Sequence, residues 1–530
     1  MPTLTLLLHG QEHRLAFEPG RSLRAILDAT DYRVRSACLG IGACGLCRIK
    51  LLAGSGGEIT AAEQLQLGDE IAAGLRLACQ YRPTGDATVA ILNPAPPSAW
   101  HAPPSGLVRV DALPRITDRP LPAGIEHPLG MAADLGTSHL TIAVCDLTSG
   151  RPLALRFGHN PQHRYGSDVV TRLVAAEDPA VAQLLTSVAR DAIGAALADM
   201  AEREGLDLHR IGRIVVVGNT AMLALLTGHN HGLLLQPAHW TAPLDCSPLD
   251  ADAWIGNWGV APTTQVEVVP PLSGFVGSDL LAGLAASGLM DGPAPALLVD
   301  FGTNSEIALW TGSKLWVTAT AGGPAFESGT GCCGMPAEAG AVYRIDFDAT
   351  GQPISHILGD DHARGLCGSG LVDLVAGLRR MDILTTAGKF AGGRKFFPLP
   401  VDDRFLSLEG RDVDALQRAK GAIGTGISVL CGEAGIAVPN LRRVVAAGLF
   451  GRYLNVANAQ AIGLLPNVAA EHIELAGNTA LAGAVALLLS RQAGAAVERA
   501  RTDAQCVNLA RAPGFDDAFL EHLYLQPMVC

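Results

Sequence analysis

Four cysteines near the start of this 530-residue chain constrain its first domain more than any other feature. Five residues separate Cys38 from Cys44, two separate Cys44 from Cys47, and thirty-one separate Cys47 from Cys79. Glycines at positions 40, 42 and 45 surround the CGLC pair and allow the backbone to wrap closely around a small inorganic core. Four thiolates at one point are the usual ligands of an iron–sulfur cluster. The spacing therefore predicts such a cluster, held by these four cysteines.

Other uses of the four cysteines fit the pattern less well. Structural zinc sites usually pair two short C-x2–4-C units, and only one is present. A thioredoxin-type CxxC belongs to a βαβ unit, which is not visible here. Disulfides suit an exported chain, but the apolar stretch at residues 3–8 is too short for a signal peptide and lacks a basic flank. Twelve cysteines in such a chain predict a reducing compartment and hence a cytoplasmic protein.

The sequence around the cysteines predicts a small α+β domain. LTLLLHG and HRLAFEPG form a predicted hairpin, SLRAILDATDY a short helix, and CRIKLLAGSG and ATVAIL two more strands. Residues 1–93 resemble the [2Fe-2S] ferredoxins with a β-grasp fold, in the spacing variant with five residues between the first two ligands. The resemblance implies a [2Fe-2S] cluster.

Composition excludes several kinds of partner. A chain of this length needs more than one core, and its 48% hydrophobic residues predict packed domains. The net charge of −12 argues against a nucleic-acid partner. No apolar run reaches the ~18 residues that a membrane span needs. Residues 94–128 are rich in proline and predict a semi-rigid linker to a larger unit at 129–530.

That larger unit contains an internal repeat. MAADLGTSHLTIAVCDL begins at residue 131 and LLVDFGTNSEIALW at residue 297, which places Asp134 and Asp300 166 residues apart. Each copy predicts a β-hairpin with Gly-Thr at its turn. The bare glycines, Gly136 and Gly302, let backbone N–H groups face phosphate oxygens, and the two aspartates suit a hydrated Mg²⁺. Side chains predicted to add hydrogen bonds to phosphate are Thr137, Ser138, Thr303 and Asn304.

A third segment, RRVVAAGLFGRYLNVANAQAIGLLP at residues 442–466, is an apolar strand followed by AAGLFG and a helix. Gly448 and Gly451 would let the backbone pass close to a flat base or a ribose. A plain strand-to-helix turn is the alternative.

Together the two hairpins and the glycine-rich loop resemble the ATPase superfamily of acetate and sugar kinases, heat-shock chaperones and actin. The resemblance implies two α/β, RNase H-like lobes, at about 129–295 and 296–530, with ATP and Mg²⁺ in the cleft. Asp134, Asp300 and Glu306 are then the predicted catalytic residues, since Glu306 shares the strand face of Asp300 and is placed to order water.

Three more residues have two interpretations each. Glu327 would touch the ribose or hold a hinge between the lobes. Lys420 would reach the nucleotide or lie in solvent on a helix. Asn219 in VVGNTAM is interpreted as a helix cap in preference to a nucleotide contact.

A ferredoxin, a linker and this ATPase in one chain resemble the reductive activators of corrinoid proteins. The resemblance implies that ATP drives one electron from the [2Fe-2S] cluster to a Co(II) corrinoid protein, which restores Co(I) for methyl transfer. It also implies an upstream electron donor and a possible homodimer. Such activators can carry an extra small domain before the ATPase, which is expected to be missing here. Alternatives are an activator of another low-potential enzyme such as a dehydratase, a small-molecule kinase with a redox-sensing ferredoxin, or a nucleotide-gated interaction module.

Overall fold

The structure is a computed structural model. It describes the chain except for residues 1, 9–10, 29, 31, 35–41, 43–44, 46, 55, 93, 95–99, 102–115, 167, 321, 323–333, 336, 338–339, 360–362, 402–403, 449–452 and 529–530. Two predicted cluster ligands, Cys38 and Cys44, lie outside the described residues, as do Glu327 and Gly451.

The N-terminal domain is a five-stranded sheet of order β2-β1-β5-β3-β4, with β1 parallel to β5 and the other neighbours antiparallel. Its helices begin at side-chain caps: Ser22 accepts from the amide of Ala25, and Thr60 forms a reciprocal capping box with Glu63. The predicted hairpin, helix and two strands are all present. Its elements are β1 Thr3–Leu8, β2 Gln11–Ala16, α1 Leu23–Leu27, β3 Arg48–Ala53, α2 Ala61–Leu67, β4 Leu75–Leu77 and β5 Ala87–Ile91.

The first lobe of the larger unit is a five-stranded sheet of order β10-β9-β6-β7-β8 with helices around it. Strands β6, β7 and β8 form an antiparallel meander, and β9 and β10 add in parallel. Its elements are β6 Leu129–Leu135, β7 His139–Asp146, β8 Pro152–His159, α3 Val169–Ala175, α4 Pro179–Glu204, β9 Ile211–Gly218, α5 Thr220–Thr227, α6 Ala251–Trp258, β10 Gln265–Val268 and α7 Ser278–Ser287.

The second lobe repeats this topology in the order β20-β19-β11-β12-β13, with β21 added at one edge. Strands β14 to β16 form a small second sheet and β17–β18 a hairpin. Its elements are β11 Ala296–Asp300, β12 Ser305–Trp310, β13 Leu315–Thr320, β14 Ala341–Phe347, β15 Pro353–Ile357, β16 Gly365–Leu366, α8 Gly368–Arg380, β17 Phe396–Val401, β18 Arg404–Glu409, α9 Gly410–Ala434, β19 Arg443–Ala447, α10 Val456–Ala461, β20 Ile473–Gly477, α11 Thr479–Leu489, α12 Arg491–Asp503, β21 Ala504–Cys506 and α13 Phe515–Leu523.

Helices α7 and α11 lie between the two sheets and pack on each other. A single hydrophobic core joins residues of both sheets and both helices. The helices approach closely because Gly483 presents no side chain, and a Cβ there would collide with the carbonyl of Ala282. The start of each helix is therefore held at the junction of the lobes.

Parts of the predicted linker are fixed on the lobes. His101 pairs with Phe157 at the edge of the first-lobe sheet, and Trp100 is buried against Gly158. Further along, the Arg119 amide donates to the carbonyl of Leu489.

Within the described residues, helix α4 is long and apolar enough to cross a membrane by length and composition. Its buried residues, such as Leu185, Ile193 and Leu197, belong to the core of the first lobe.

Candidate functional site

The two repeated hairpins face each other across a cleft between the lobes. Asp134 is opposite Thr141 on the β6–β7 pair, and Asp300 is opposite Glu306 on the β11–β12 pair. The cleft is lined by Asp134, Gly136, Thr137, His139, Thr141, Asn219, Asp279, Asp300, Phe301, Gly302, Thr303, Asn304, Glu306, Gly448, Asn478 and Ala480. Nine residues predicted to bind or act on ATP are thus brought together.

The two turns touch each other directly. The hydroxyls of Ser138 and Thr303 are 2.8 Å apart, within hydrogen-bond distance. Gly136 has no room for a side chain, because a Cβ there would lie 2.8 Å from the carbonyl oxygen of His139. Bare backbone and hydroxyls therefore meet where the repeat predicts phosphate.

Buried side chains of the NPQHRYGSDVVTRL segment support the first turn from below. Asn160 donates to the carbonyl of Gly136 at 2.9 Å, and Arg172 donates to the carbonyl of Thr137 at 2.7 Å. Both side chains are fully buried. Burial lowers the pKa of Arg172 to about 10, so its guanidinium remains charged at neutral pH. The first turn is therefore held by hydrogen bonds at both carbonyls and at the Gly136 amide, which donates to the carbonyl of His139.

Four carboxylates line the cleft: Asp134, Asp279, Asp300 and Glu306. Asn478 donates to Asp134 at 2.8 Å, and burial raises the pKa of Asp279 to about 6. Among the described residues, no group of three or more His, Cys, Asp or Glu side chains is arranged to hold a metal by itself. Carboxylates that cannot enclose a metal by themselves still fit Mg²⁺, because this ion keeps several waters and binds through one or two carboxylates together with phosphate oxygens.

Asp279 and Asn478 were missed by the sequence analysis, although a signal was present. Residues 277–283 read GSDLLAG and residues 477–483 read GNTALAG, so the second pattern repeats the first. These patterns open α7 and α11, the pair of helices between the lobes. Asn478 caps α11 by accepting from the amide of Leu481.

Asn219 caps a helix, as interpreted, and its contact with a nucleotide stays a prediction. Its side chain accepts from the amide of Ala221 and so caps α5. The same side chain lines the cleft, 3.5 Å from the carboxylate of Glu306.

Gly448 ends strand β19 and lies against the second hairpin. Its φ is +92°, and a Cβ would lie 2.9 Å from Asp300 Oδ1. Gly448 is therefore packed onto the aspartate turn.

Lys420 does not line the phosphate cleft. It is almost completely buried in α9, where its ammonium group donates to the carbonyl of His522. Burial lowers its pKa to about 8. The interpretation as a solvated helix lysine is thus wrong, because the side chain faces a small cavity formed with the C-terminal residues 521–528.

His139 follows the first turn and has an unusual environment. It is buried, its ring stacks on Phe157 with centroids 4.6 Å apart, and neither ring nitrogen has a hydrogen-bond partner in the described part of the chain. Burial lowers its pKa to about 3, so the imidazole is neutral.

The described half of the cysteine site fits an iron–sulfur ligand set. Cys47 and Cys79 are both buried, and a hydrogen bond from Cys47 lowers the pKa of Cys79 to about 6. A lowered pKa favours the thiolate that binds metal. Gly42 and Gly45 have φ values of +84° and +64°, and a Cβ on either would press on α2. Two of the three predicted loop glycines are therefore required by the backbone.

Three families match successive parts of the chain. Residues 6–84 match the 2Fe-2S iron–sulfur cluster binding domain, residues 129–292 the RACo middle region, and residues 294–529 the C-terminal domain of RACo, the ASKHA domain. Fold and sites together define the class: an iron–sulfur protein with a two-lobed ATPase, which binds a [2Fe-2S] cluster and ATP.

Relatives narrow this class. The corrinoid activation enzyme RamQ of Eubacterium limosum is 31% identical over 74% of this chain and 70% of its own length. The [Co(II) methylated amine-specific corrinoid protein] reductase of Methanosarcina barkeri is 25% identical over 68% of this chain and 70% of its own. The chain belongs to the family of reductive activators of corrinoid proteins.

The solved structure of a reductive activator for a corrinoid, iron–sulfur protein has the same fold. It superposes with a TM-score of 0.67 at 24% identity, over 99% of this chain and 98% of that chain. The predicted fold class, a β-grasp ferredoxin followed by a two-lobed ATPase, is confirmed. Residues 129–292, which match the RACo middle region, coincide with the first lobe of the larger unit. The absence of a further small domain before that lobe stays a prediction.

Proposed function

We propose that this protein is an ATP-dependent reductive activator, which passes one electron to a Co(II) corrinoid protein and restores its Co(I) state. The observation that carries the proposal is the pairing, in one chain, of a ferredoxin domain with two phosphate hairpins that meet across a cleft. When bound, the [2Fe-2S] cluster supplies a one-electron donor, which a small-molecule kinase does not need.

ATP would bind with its phosphates between the two turns. The amides after Gly136 and Gly302, together with Thr137, Ser138 and Thr303, would donate to phosphate oxygens. Asn304 would add a contact from the second turn. Asp134 and Asp300 would hold a hydrated Mg²⁺, which neutralises the phosphate charge.

Binding of ATP is linked to lobe position because the two phosphate turns, one from each lobe, bond to each other. Phosphate between them would replace the Ser138–Thr303 hydrogen bond with bonds from each hydroxyl to the nucleotide. ATP then favours one arrangement of the lobes only as far as it binds that arrangement better. Reduction of cobalt in the partner would be favoured in the same arrangement.

Hydrolysis would depend on positioning and electrostatics without a covalent intermediate. Glu306 and Asp279 line the cleft from β12 and α7, and both would order water near the phosphates. Asp279 suits the role of proton acceptor, because burial raises its pKa to about 6, towards neutral pH.

Cys38, Cys44, Cys47 and Cys79 would hold the cluster. A separate cellular reductant would reload it after each transfer. A reducing compartment would keep the remaining cysteines as thiols, which is consistent with a cytoplasmic protein. A homodimer stays a prediction.

The test follows the cobalt spectrum of a Co(II) corrinoid protein mixed with this protein, a reductant and Mg-ATP. We expect Co(I) to form only with ATP present. Cys47→Ser should abolish the transfer and the cluster absorption while nucleotide binding persists. Cys506→Ser, a half-buried thiol of the second lobe, is the matched control and should behave as the wild type. Equal Co(I) formation with and without ATP would overturn the proposal.

A further inference from the structure

The ferredoxin domain is joined to the first lobe by a buried ionic seam. Arg33 donates through one nitrogen to both carboxylate oxygens of Asp199, at 3.1 Å each. Arg24 pairs with Glu204. Both acids belong to α4 of the first lobe, and all four side chains are at most 9% exposed.

Residues of the first lobe complete the seam from behind. Arg156 of β8 donates to Asp199 at 2.5 Å and to Glu204 at 3.0 Å, and Arg203 donates to Asp199 at 2.8 Å. On the ferredoxin side, Asp28 lies 3.4 Å from Arg24. Four guanidinium groups thus share three carboxylates.

An interface made of buried ion pairs suits reversible docking of the ferredoxin domain on the first lobe. Removing charges from water costs nearly as much free energy as their mutual attraction returns, so a buried ionic contact adds little net affinity. It does fix orientation, because any other arrangement leaves a buried charge unpaired. Contacts between domains of one chain are generally weak unless they are large and apolar.

One residue of the seam also lies beside the cluster site. The Arg24 amide donates to the carbonyl of Ala78 at 2.8 Å, next to the predicted ligand Cys79. The guanidinium of Arg24 pairs with Glu204, so this acid neutralises a positive charge carried by a residue beside the cluster site. Because reduction adds a negative charge to the cluster, a nearby carboxylate opposes it by Coulomb repulsion.

The tether limits how far the domain can travel. Pro94 pairs with Val34 of the ferredoxin domain, and Trp100 is buried in the first lobe. The six residue-to-residue steps from Pro94 to Trp100 span about 20 Å at full extension. An undocked domain therefore stays beside the first lobe while Trp100 is in place.

We propose that the ferredoxin domain docks reversibly on α4 of the first lobe through Arg24 and Arg33, and that docking lowers the reduction potential of the cluster. This inference rests on the proposed role of the domain as electron carrier. Docking would make the cluster a stronger reductant, and undocking would let the domain approach a partner protein within reach of its tether.

The test compares full-length, cluster-loaded wild type with Glu204→Gln and Asp199→Asn. The control is Asp191→Asn, which neutralises an exposed carboxylate on the same helix. Hydrogen exchange is followed in residues 22–34 and 196–206, and the cluster potential by spectroelectrochemical titration. We expect exchange at least about tenfold faster in both substituted seam variants, since an unpaired buried guanidinium disfavours the docked state.

The potential separates docking from a merely structural effect. Glu204→Gln should shift it to more positive values, and by more than Asp199→Asn, because Glu204 pairs with the arginine beside Cys79. Arg24→Lys keeps the positive charge but weakens the pairing with Glu204, so it should speed exchange and shift the potential in the same direction as Glu204→Gln. It also decides the matter if Glu204→Gln fails to load its cluster.

Unchanged exchange in both acid variants would overturn the docking, and faster exchange with an unchanged potential would overturn the tuning. Neither readout requires ATP or a corrinoid protein. A wild type that fails to reduce cobalt would therefore count against the proposed function alone.

Discussion

Asp279 is the residue whose chemistry depends most on its surroundings. An exposed aspartate is fully ionised at neutral pH, whereas burial in the cleft raises the pKa of Asp279 to about 6. The carboxyl is thus protonated below pH 6 and ionised above it. A group with a pKa near the working pH is the most effective proton acceptor.

We predict that Asp279→Asn slows ATP hydrolysis at least about 100-fold, the usual range for loss of a general base, while nucleotide affinity changes little. The wild-type rate should fall as pH drops through about 6, since protonation removes the acceptor. Asp252→Asn, an exposed acid of α6, is the control. The measurement is the steady-state rate of ATP hydrolysis from pH 5 to 8. A fall in rate at acidic pH that survives in Asp279→Asn would contradict the assignment of Asp279 as proton acceptor.

At the scale of single residues, the sequence predicts those positions of the cleft that lie together in one short turn. Asp134, Gly136, Asp300 and Gly302 are fixed by turns of a few residues, and a repeated pattern reveals them. Asp279 reaches the cleft only because α7 packs between the two sheets. Its pKa depends on that packing, which no local pattern encodes. Lys420 is also determined by distant packing, because the C-terminal segment buries this helix lysine.

Gly448 illustrates how one element constrains another. It lies at the end of β19, where φ is +92° and the carbonyl of Phe301 leaves no space for a Cβ. An L-residue in left-handed backbone costs about 1–2 kcal/mol by itself. The steric conflict adds to this and would push the Asp300 turn away from the cleft.

We therefore predict that Gly448→Ala lowers the free energy of unfolding by more than about 1 kcal/mol and weakens nucleotide binding at least about tenfold. Gly410→Ala is the control, because a Cβ at that helical glycine meets open space and should be neutral or stabilising. Denaturant unfolding and nucleotide titration measure both effects. Equal behaviour of the two variants would show that the loop does not shape the site.

At the level of elements, periodicity predicted the strands of the ferredoxin domain and the repeated hairpins. It did not predict that Trp100 and His101 would attach to β8. The segment PAPPSAWHAPP has the composition of a linker, and its attachment depends on Gly158, which leaves space for the Trp100 ring. Whether such a segment pairs with a sheet depends on the edge strand that receives it.

Across the whole molecule, strand β8 connects the phosphate cleft with the ionic seam. His139 of the first hairpin stacks on Phe157, and Phe157 exchanges backbone hydrogen bonds of 3.0 and 2.9 Å with His101. The neighbouring Arg156 donates to Asp199 and Glu204, the two seam acids of α4. Packed cores transmit displacement because they leave little empty space.

We predict that a non-hydrolysable ATP analogue with Mg²⁺ changes hydrogen exchange in residues 22–34 as well as in the two phosphate turns. Phe157→Ala should retain the protection of the turns but lose most of the response in residues 22–34, because it removes the ring between His139 and the strand edge. Phe519→Ala, which truncates a stacked ring in α13, is the matched control and should retain both responses. A response in residues 22–34 that survives Phe157→Ala would mean that the nucleotide signal travels through the helices between the lobes and not through β8.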